Sequence, residues 1–189
     1  MNLELPFVIN GNFILTASRQ SAQNSDPWNA FLFQSAGFFT ATWLAELAGT
    51  PTYRRTFTRL LPPAVIHGGN AHLHGLYTPQ FKAAFKQVPT IPSASGKLVK
   101  LDSAIWDTLG VFSALGDPAL KQFDGLQDAS LIDAGVEQPE KLVQLGLTKI
   151  AADDLEEVLA ASTPLLSEPD ACLKLSSLCR TRSARTPKS

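Results

Sequence analysis

The sequence predicts an α+β fold: a small N-terminal β-hairpin or sheet packed on a long amphipathic helix, followed by a mostly helical C-terminal half. Three features carry that expectation. Residues 3–17 alternate apolar and polar about Asn10-Gly11, and residues 26–48 repeat large apolar side chains at helical spacing between start and stop signals. Residues 89–101 hold a Ser/Gly turn between two short β-prone runs.

In the first run Leu3, Leu5, Phe7 and Ile9 share one parity, and in the second Phe13, Leu15 and Ala17 do. Asn-Gly between alternating runs favours a tight hairpin, because both residues tolerate positive φ. The long helix has Asp26 as its cap, Pro27 in its first turn, and Gly49 with Pro51 as its stop. Trp28, Phe31, Leu32, Ala36, Phe39, Trp43 and Leu47 fall on one stripe, widened by Phe33, Phe38 and Leu44. So broad an apolar face makes this a central helix covered on more than one side. Its Trp and Phe side chains serve either as core or as a docking face for a neighbouring domain.

A shorter helical run covers 52–61, with Tyr53, Phe57, Leu60 and Leu61, and ends at Pro62-Pro63. Residues 64–75 read as a loop or short turn, and 78–88 as a helix with Phe81, Ala84, Phe85 and Val88 on one face. Pro89 to Leu101 reads as strand, turn, strand; Ser93, Ser95 and Gly96 are turn residues rather than a phosphate loop. Residues 102–107 are expected to begin a helical turn or loop. Short helices are expected at 117–124, 138–145 and 151–162. The end of the chain, with Arg180, Arg182, Arg185 and Lys188 and no large apolar residue, is expected to lack order. The division is then 1–110 as an α+β segment, 111–165 as a helical extension and 166–189 as a poorly ordered basic tail.

A chain of 189 residues with 44% hydrophobic content can bury one sizeable core. Charged residues are only 17%, below the usual quarter, so part of the apolar surface is available to a neighbour. A net charge of −1 argues against nucleic acid as a partner. The start lacks the basic n-region of a signal peptide, and no run approaches the roughly 18 apolar residues of a membrane helix. Cys172 and Cys179, seven residues apart, fit a reduced pair on one helix face. Together these point to a cytoplasmic protein.

Candidate sites are few. His67, His72 and His74 lie within one short run, and imidazoles at that density can hold Zn²⁺ or Ni²⁺. No cysteine or acid accompanies them, so a surface loop without metal is the better reading. Asp153, Asp154, Glu156 and Glu157 read as a solvated helix face. Arg19 sits on a polar loop between a strand-like run and the long helix, where it can be aimed at an anion or simply be solvated.

Pro6-Phe7-Val8-Ile9-Asn10, Phe13 through Arg19 and Pro27-Trp28-Asn29 form a recognisable series. It continues with Leu61-Pro62, Val88-Pro89-Thr90-Ile91-Pro92, Ser95-Gly96-Lys97 and Leu145-Gly146-Leu147. This series, over about residues 3–160, resembles the region that follows the nucleotide-binding domain in sacsin-like, Hsp90-like ATPases. Leu15-Thr16-Ala17-Ser18-Arg19-Gln20-Ser21-Ala22-Gln23 is also similar to the Leu-Asn-x-Ser-Arg-Glu-x-x-Gln catalytic loop of the Hsp90 middle domain. It departs at Thr16 and at Gln20, where an acid that could orient the Arg is lost. The resemblance implies that Arg19 reaches the γ-phosphate of ATP held by another domain and that Gln23 supports the loop. A fixed guanidinium stabilises charge on a transferring phosphoryl group. The ATP-binding motifs of that superfamily and a Walker A run are missing from the sequence, so no cofactor is expected on this chain alone. ATP and Mg²⁺ are expected only with a partner ATP-binding domain. The implied function is a fragment or accessory segment of an ATP-dependent chaperone-type protein, inactive alone. The alternatives are a non-catalytic protein–protein interaction module and a degenerate gene fragment.

Overall fold

The computed structural model describes residues 5–18, 22–63, 71–115, 120 and 126–151. The fold is α+β. Among the described residues its largest elements are α1 (Pro27–Gly49) and α2 (Ala71–Gln87), with a 3₁₀ turn at Phe57–Leu60 on the connection between them. A two-stranded antiparallel hairpin follows, β1 (Ile91–Pro92) and β2 (Leu98–Val99), in the register Ile91↔Val99 and Pro92↔Leu98. A second sheet is parallel and has the order β4-β3-β5, built from β3 (Ala104–Asp107), β4 (Ser130–Leu131) and β5 (Thr148–Ile150). Ile105 pairs with Leu131 on one side and Thr148 on the other. Between these strands lie α3 (Val111–Leu115) and α4 (Pro139–Leu145).

The long helix starts and stops where its sequence signals lie. The Asp26 carboxylate accepts from the Trp28 and Asn29 amides, and Pro27 opens the first turn, where a missing N–H costs nothing. The stripe it buries differs from the expected one. Asn29, Phe33, Gly37, Thr40, Ala41, Leu44 and Ala48 face the core, while Trp28, Phe31, Phe38, Phe39 and Trp43 remain exposed. The reason is close helix packing. A Cβ built on Gly37 would lie 2.4 Å from the Tyr77 carbonyl oxygen and 3.0 Å from the Phe81 nitrogen. Small side chains let α2 approach, and of the aromatics only Phe33 is turned inward. Tyr77, Phe81 and Phe85 of α2 fill that interface, joined by Phe57, Leu61, Ile91, Leu101 and Leu142 in one core. Ile105, Phe112, Leu120, Leu131 and Ile150 form a second core around the parallel sheet.

Other expectations are also revised. The Asn10-Gly11 hairpin does not form. Among the described residues, 5–18 contains no strand, and its one ladder contact is an isolated antiparallel bridge from Leu15 to Ala22. α2 begins at Ala71 rather than 78, so the expected 64–75 loop ends early and Pro79 sits inside the helix. Residues 52–61 are turns and a 3₁₀ turn instead of a helix. Residues 102–107 include strand β3, and the described part of the C-terminal half carries a parallel sheet where mostly helix was expected. The hairpin at 89–101 and the helix at 138–145 do form. The 151–162 helix, most of the 117–124 helix, the basic tail and both cysteines lie outside the described residues.

The turn after α1 is tied to the region of β4 and α4. Arg55 pairs with Asp133 at 3.1 Å, Arg59 with Glu137, and Lys141 Nζ donates to the Thr58 and Arg59 carbonyls, each at 3.3 Å. Burial pushes the Asp133 carboxyl up, but the Gly135 amide, the Arg55 guanidinium and the charge of Arg54 outweigh it and hold the pKa below its ordinary value. The β1–β2 hairpin joins the parallel sheet through Ala94 N to Leu131 O and Asp133 N to Pro92 O, both 2.8 Å.

Candidate functional site

The loop that carries Ser18-Arg19 is closed at its base by α1. Asn29, in the first turn of that helix, is fully buried. Its Oδ1 accepts from Ile14 N at 2.8 Å, and its Nδ2 donates to Ile14 O at 2.7 Å and to Gln23 O at 2.9 Å. Gln23 N donates in turn to Ile14 O at 2.9 Å, beside the Leu15–Ala22 bridge. One side chain therefore holds both ends of the loop. Phe13 stacks on Phe33 at 4.9 Å and Trp28 Nε1 donates to Asn12 O at 3.0 Å, fixing the approach to the loop.

Beside this loop base lies an open groove of about 580 Å³. One wall is α1, with Phe31, Phe39 and Trp43; the other is the segment Phe7–Gly11. Among the described residues no charged side chain lines it. Phe7 packs edge-on against Trp43 at 5.6 Å, whereas Phe39 is 65% exposed. An aromatic face of this extent is characteristic of a surface that meets another molecule.

The remaining candidates are dispersed. Arg19 and His67 lie outside the described residues. Gln23 stands at the loop base and acts there through its backbone. His72 and His74 are on α2, two positions apart and so on different faces of the helix, with Thr78 Oγ1 2.8 Å from His74 Nε2. Among the described residues no group of three His, Cys, Asp or Glu side chains is placed to hold a metal. Ser93 donates to Lys97 O at 2.9 Å inside a turn completed by Gly96 at φ 85°, as expected of turn residues.

A smaller pocket of about 280 Å³ lies beyond the ends of β3 and β4, between Asp107 and Asp133. Both carboxylates are engaged locally. Asp107 accepts from the amides of Leu109, Gly110 and Ser113, and Asp133 from Gly135 N and Arg55. They shape loops rather than offer a ligand site.

Asn29 is the residue that pattern reading passes over: within an apolar helix an Asn reads as a blemish. Its signal is positional, since it occupies the same stripe as Phe33, Gly37 and Leu44 and so must be buried with a partner. Comparison with family models, curated proteins and solved structures gives no match. Among the described residues no helix is long and apolar enough to cross a membrane.

Proposed function

We propose that this chain is a middle-type segment of a sacsin-like, Hsp90-related, ATP-dependent chaperone-type protein of the cytoplasm. In this reading Arg19 is presented to ATP and Mg²⁺ held by a neighbouring domain or polypeptide, and the chain has no turnover alone. The observation that supports the reading is the clamp on the loop base. Arginine fingers act through position, and a buried Asn29 bonded to Ile14 and Gln23 gives this loop a rigid foundation. The test is ATP hydrolysis by the native assembly containing the full chain, with Arg19→Ala against wild type. Loss of turnover with the assembly intact supports the reading, and unchanged turnover contradicts it.

The exposed face of Phe31, Phe39 and Trp43 favours a second reading, a protein–protein interaction module without a catalytic part. The two readings separate on a pair of variants. A pure docking module tolerates Arg19→Ala and loses assembly with Trp43→Asp; a segment that also completes an ATP site is damaged by both.

A further inference from the structure

The segment that forms the outer wall of the groove shows a strand's alternation of burial without being paired as a strand. Burial alternates along it: Leu5, Phe7 and Ile9 are half-buried against the core, while Pro6, Val8 and Asn10 are exposed, Val8 at 92%. That is the period-two pattern of a β-strand lying on an apolar layer. Yet among the described residues, Leu5–Asn10 makes no backbone hydrogen bond to any other part of the chain. The run that would have paired with it across Asn10-Gly11 is engaged elsewhere: Leu15 bridges Ala22, and Ile14 is held by Asn29. Backbone N–H and C=O groups beside an apolar groove need partners once that groove is covered.

We propose that Phe7–Asn10 is completed by an extended strand of a partner polypeptide, which pairs with this backbone and places alternate apolar side chains in the groove against Phe31, Phe39 and Trp43. A strand is the occupant that the surface selects. A helix or a compact apolar ligand would cover the aromatic rings and leave the backbone of Phe7–Asn10 unpaired, whereas an added strand satisfies both. The inward side chains must be uncharged, because among the described residues no charged side chain lines the groove and an unpaired charge there would lose its hydration without compensation.

The inference rests on the proposed function only in naming the partner as a neighbouring polypeptide. Neither ATP nor Arg19 enters its test, so the two fail separately. The test uses the full chain and a library of acetylated, fluorescent octapeptides with apolar residues at alternate positions and threonine between. Saturable binding is expected, weakened about tenfold or more when alternate peptide amides are N-methylated, since main-chain hydrogen bonds are removed while side chains stay. The amides of Phe7–Asn10 should slow about tenfold or more in hydrogen exchange when the peptide binds. Phe39→Asp, on the exposed wall, should abolish binding and leave the thermal midpoint unchanged. Failure of every library member to bind, equal binding of the N-methylated peptides, or unprotected Phe7–Asn10 amides would each overturn the proposal. So would self-association of the chain that protects those same amides without peptide, because the strand would then come from a second copy.

Discussion

Asn29 holds Ile14 by both ends of its amide: Oδ1 accepts from Ile14 N at 2.8 Å, and Nδ2 donates to Ile14 O at 2.7 Å. A side chain that pairs with a backbone N–H and C=O in this way replaces a sheet neighbour. It sets the path of the chain into the loop and, through Gln23 O, out of it.

Asn29→Ala removes all three bonds and leaves their backbone partners short of one. A loss of about 2–3 kcal/mol is expected in urea denaturation, with faster hydrogen exchange at the Ile14 amide. Asn29→Asp keeps the acceptor for Ile14 N but sets a carboxylate against two carbonyls, so it should be at least as damaging. An Asp variant as stable as wild type would show that the two Nδ2 bonds contribute nothing.

Gly37 marks the closest approach of the two long helices. Gly37→Ala introduces a Cβ against the Tyr77 carbonyl and the Phe81 nitrogen, both backbone atoms that move only if α2 moves. The expected cost is about 1–3 kcal/mol, even though alanine is the better helix former. A stabilised Gly37→Ala protein would contradict the packing described.

Tyr77 is buried, and its hydroxyl makes no hydrogen bond of normal geometry. Burial raises its pKa to about 12, while the neighbouring Thr40 hydroxyl lowers it slightly. The folded value lies above the unfolded value near 10, so this contribution to stability is full below pH 10 and lost as pH rises toward 12. Tyr77→Phe should remove that alkaline loss and, by deleting an unpaired hydroxyl, should be neutral or stabilising by about 1 kcal/mol. Thermal melts at pH 7, 10 and 11 for both proteins decide it.

Asp133 works in the opposite direction. Its folded pKa is lowered, so the stability it contributes is present above its unfolded value of about 4 and is lost as pH falls through the folded value. Wild type should lose more stability than Asp133→Asn between pH 5 and about pH 3. Added salt should narrow the difference, because Arg55 is largely exposed. Equal acid sensitivity of the two proteins would remove Asp133 from the account.

Much of α1 was legible in the sequence, because caps and stops act locally: Asp26, Pro27 and Gly49 mark its ends. Which face it buries was not. Large aromatics weigh most in a periodicity argument, yet the buried face of α1 takes in Gly37, Ala41 and Ala48 beside Phe33 and Leu44, and leaves Trp28, Phe31, Phe38, Phe39 and Trp43 outside. The helix at 78–88 is read from Phe81, Ala84, Phe85 and Val88 alone, and the turns before it, from Ala71, carry fewer apolar side chains and so read in part as a loop. The parallel sheet was hidden because β3, β4 and β5 are two to four residues long and pair across long stretches of chain. Alternation correctly marked Leu5, Phe7 and Ile9 as facing inward, but a pattern states which side is buried and not which strand is the neighbour. For the site, the Ser18-Arg19 loop was found by resemblance. Its clamp became visible only when Asn29, Ile14 and Gln23 were seen together in space.

The central claim is that this loop serves an ATP site on a neighbour. The most direct measurement is single-turnover ATP hydrolysis by the native assembly, purified through the full chain, with wild type, Arg19→Lys and Arg19→Ala compared at saturating ATP. The account predicts a loss of about a thousandfold for Arg19→Ala, little recovery with Arg19→Lys, and unchanged ATP affinity, because a finger acts on the transition state rather than on binding. Hydrolysis at the wild-type rate in Arg19→Ala would contradict it.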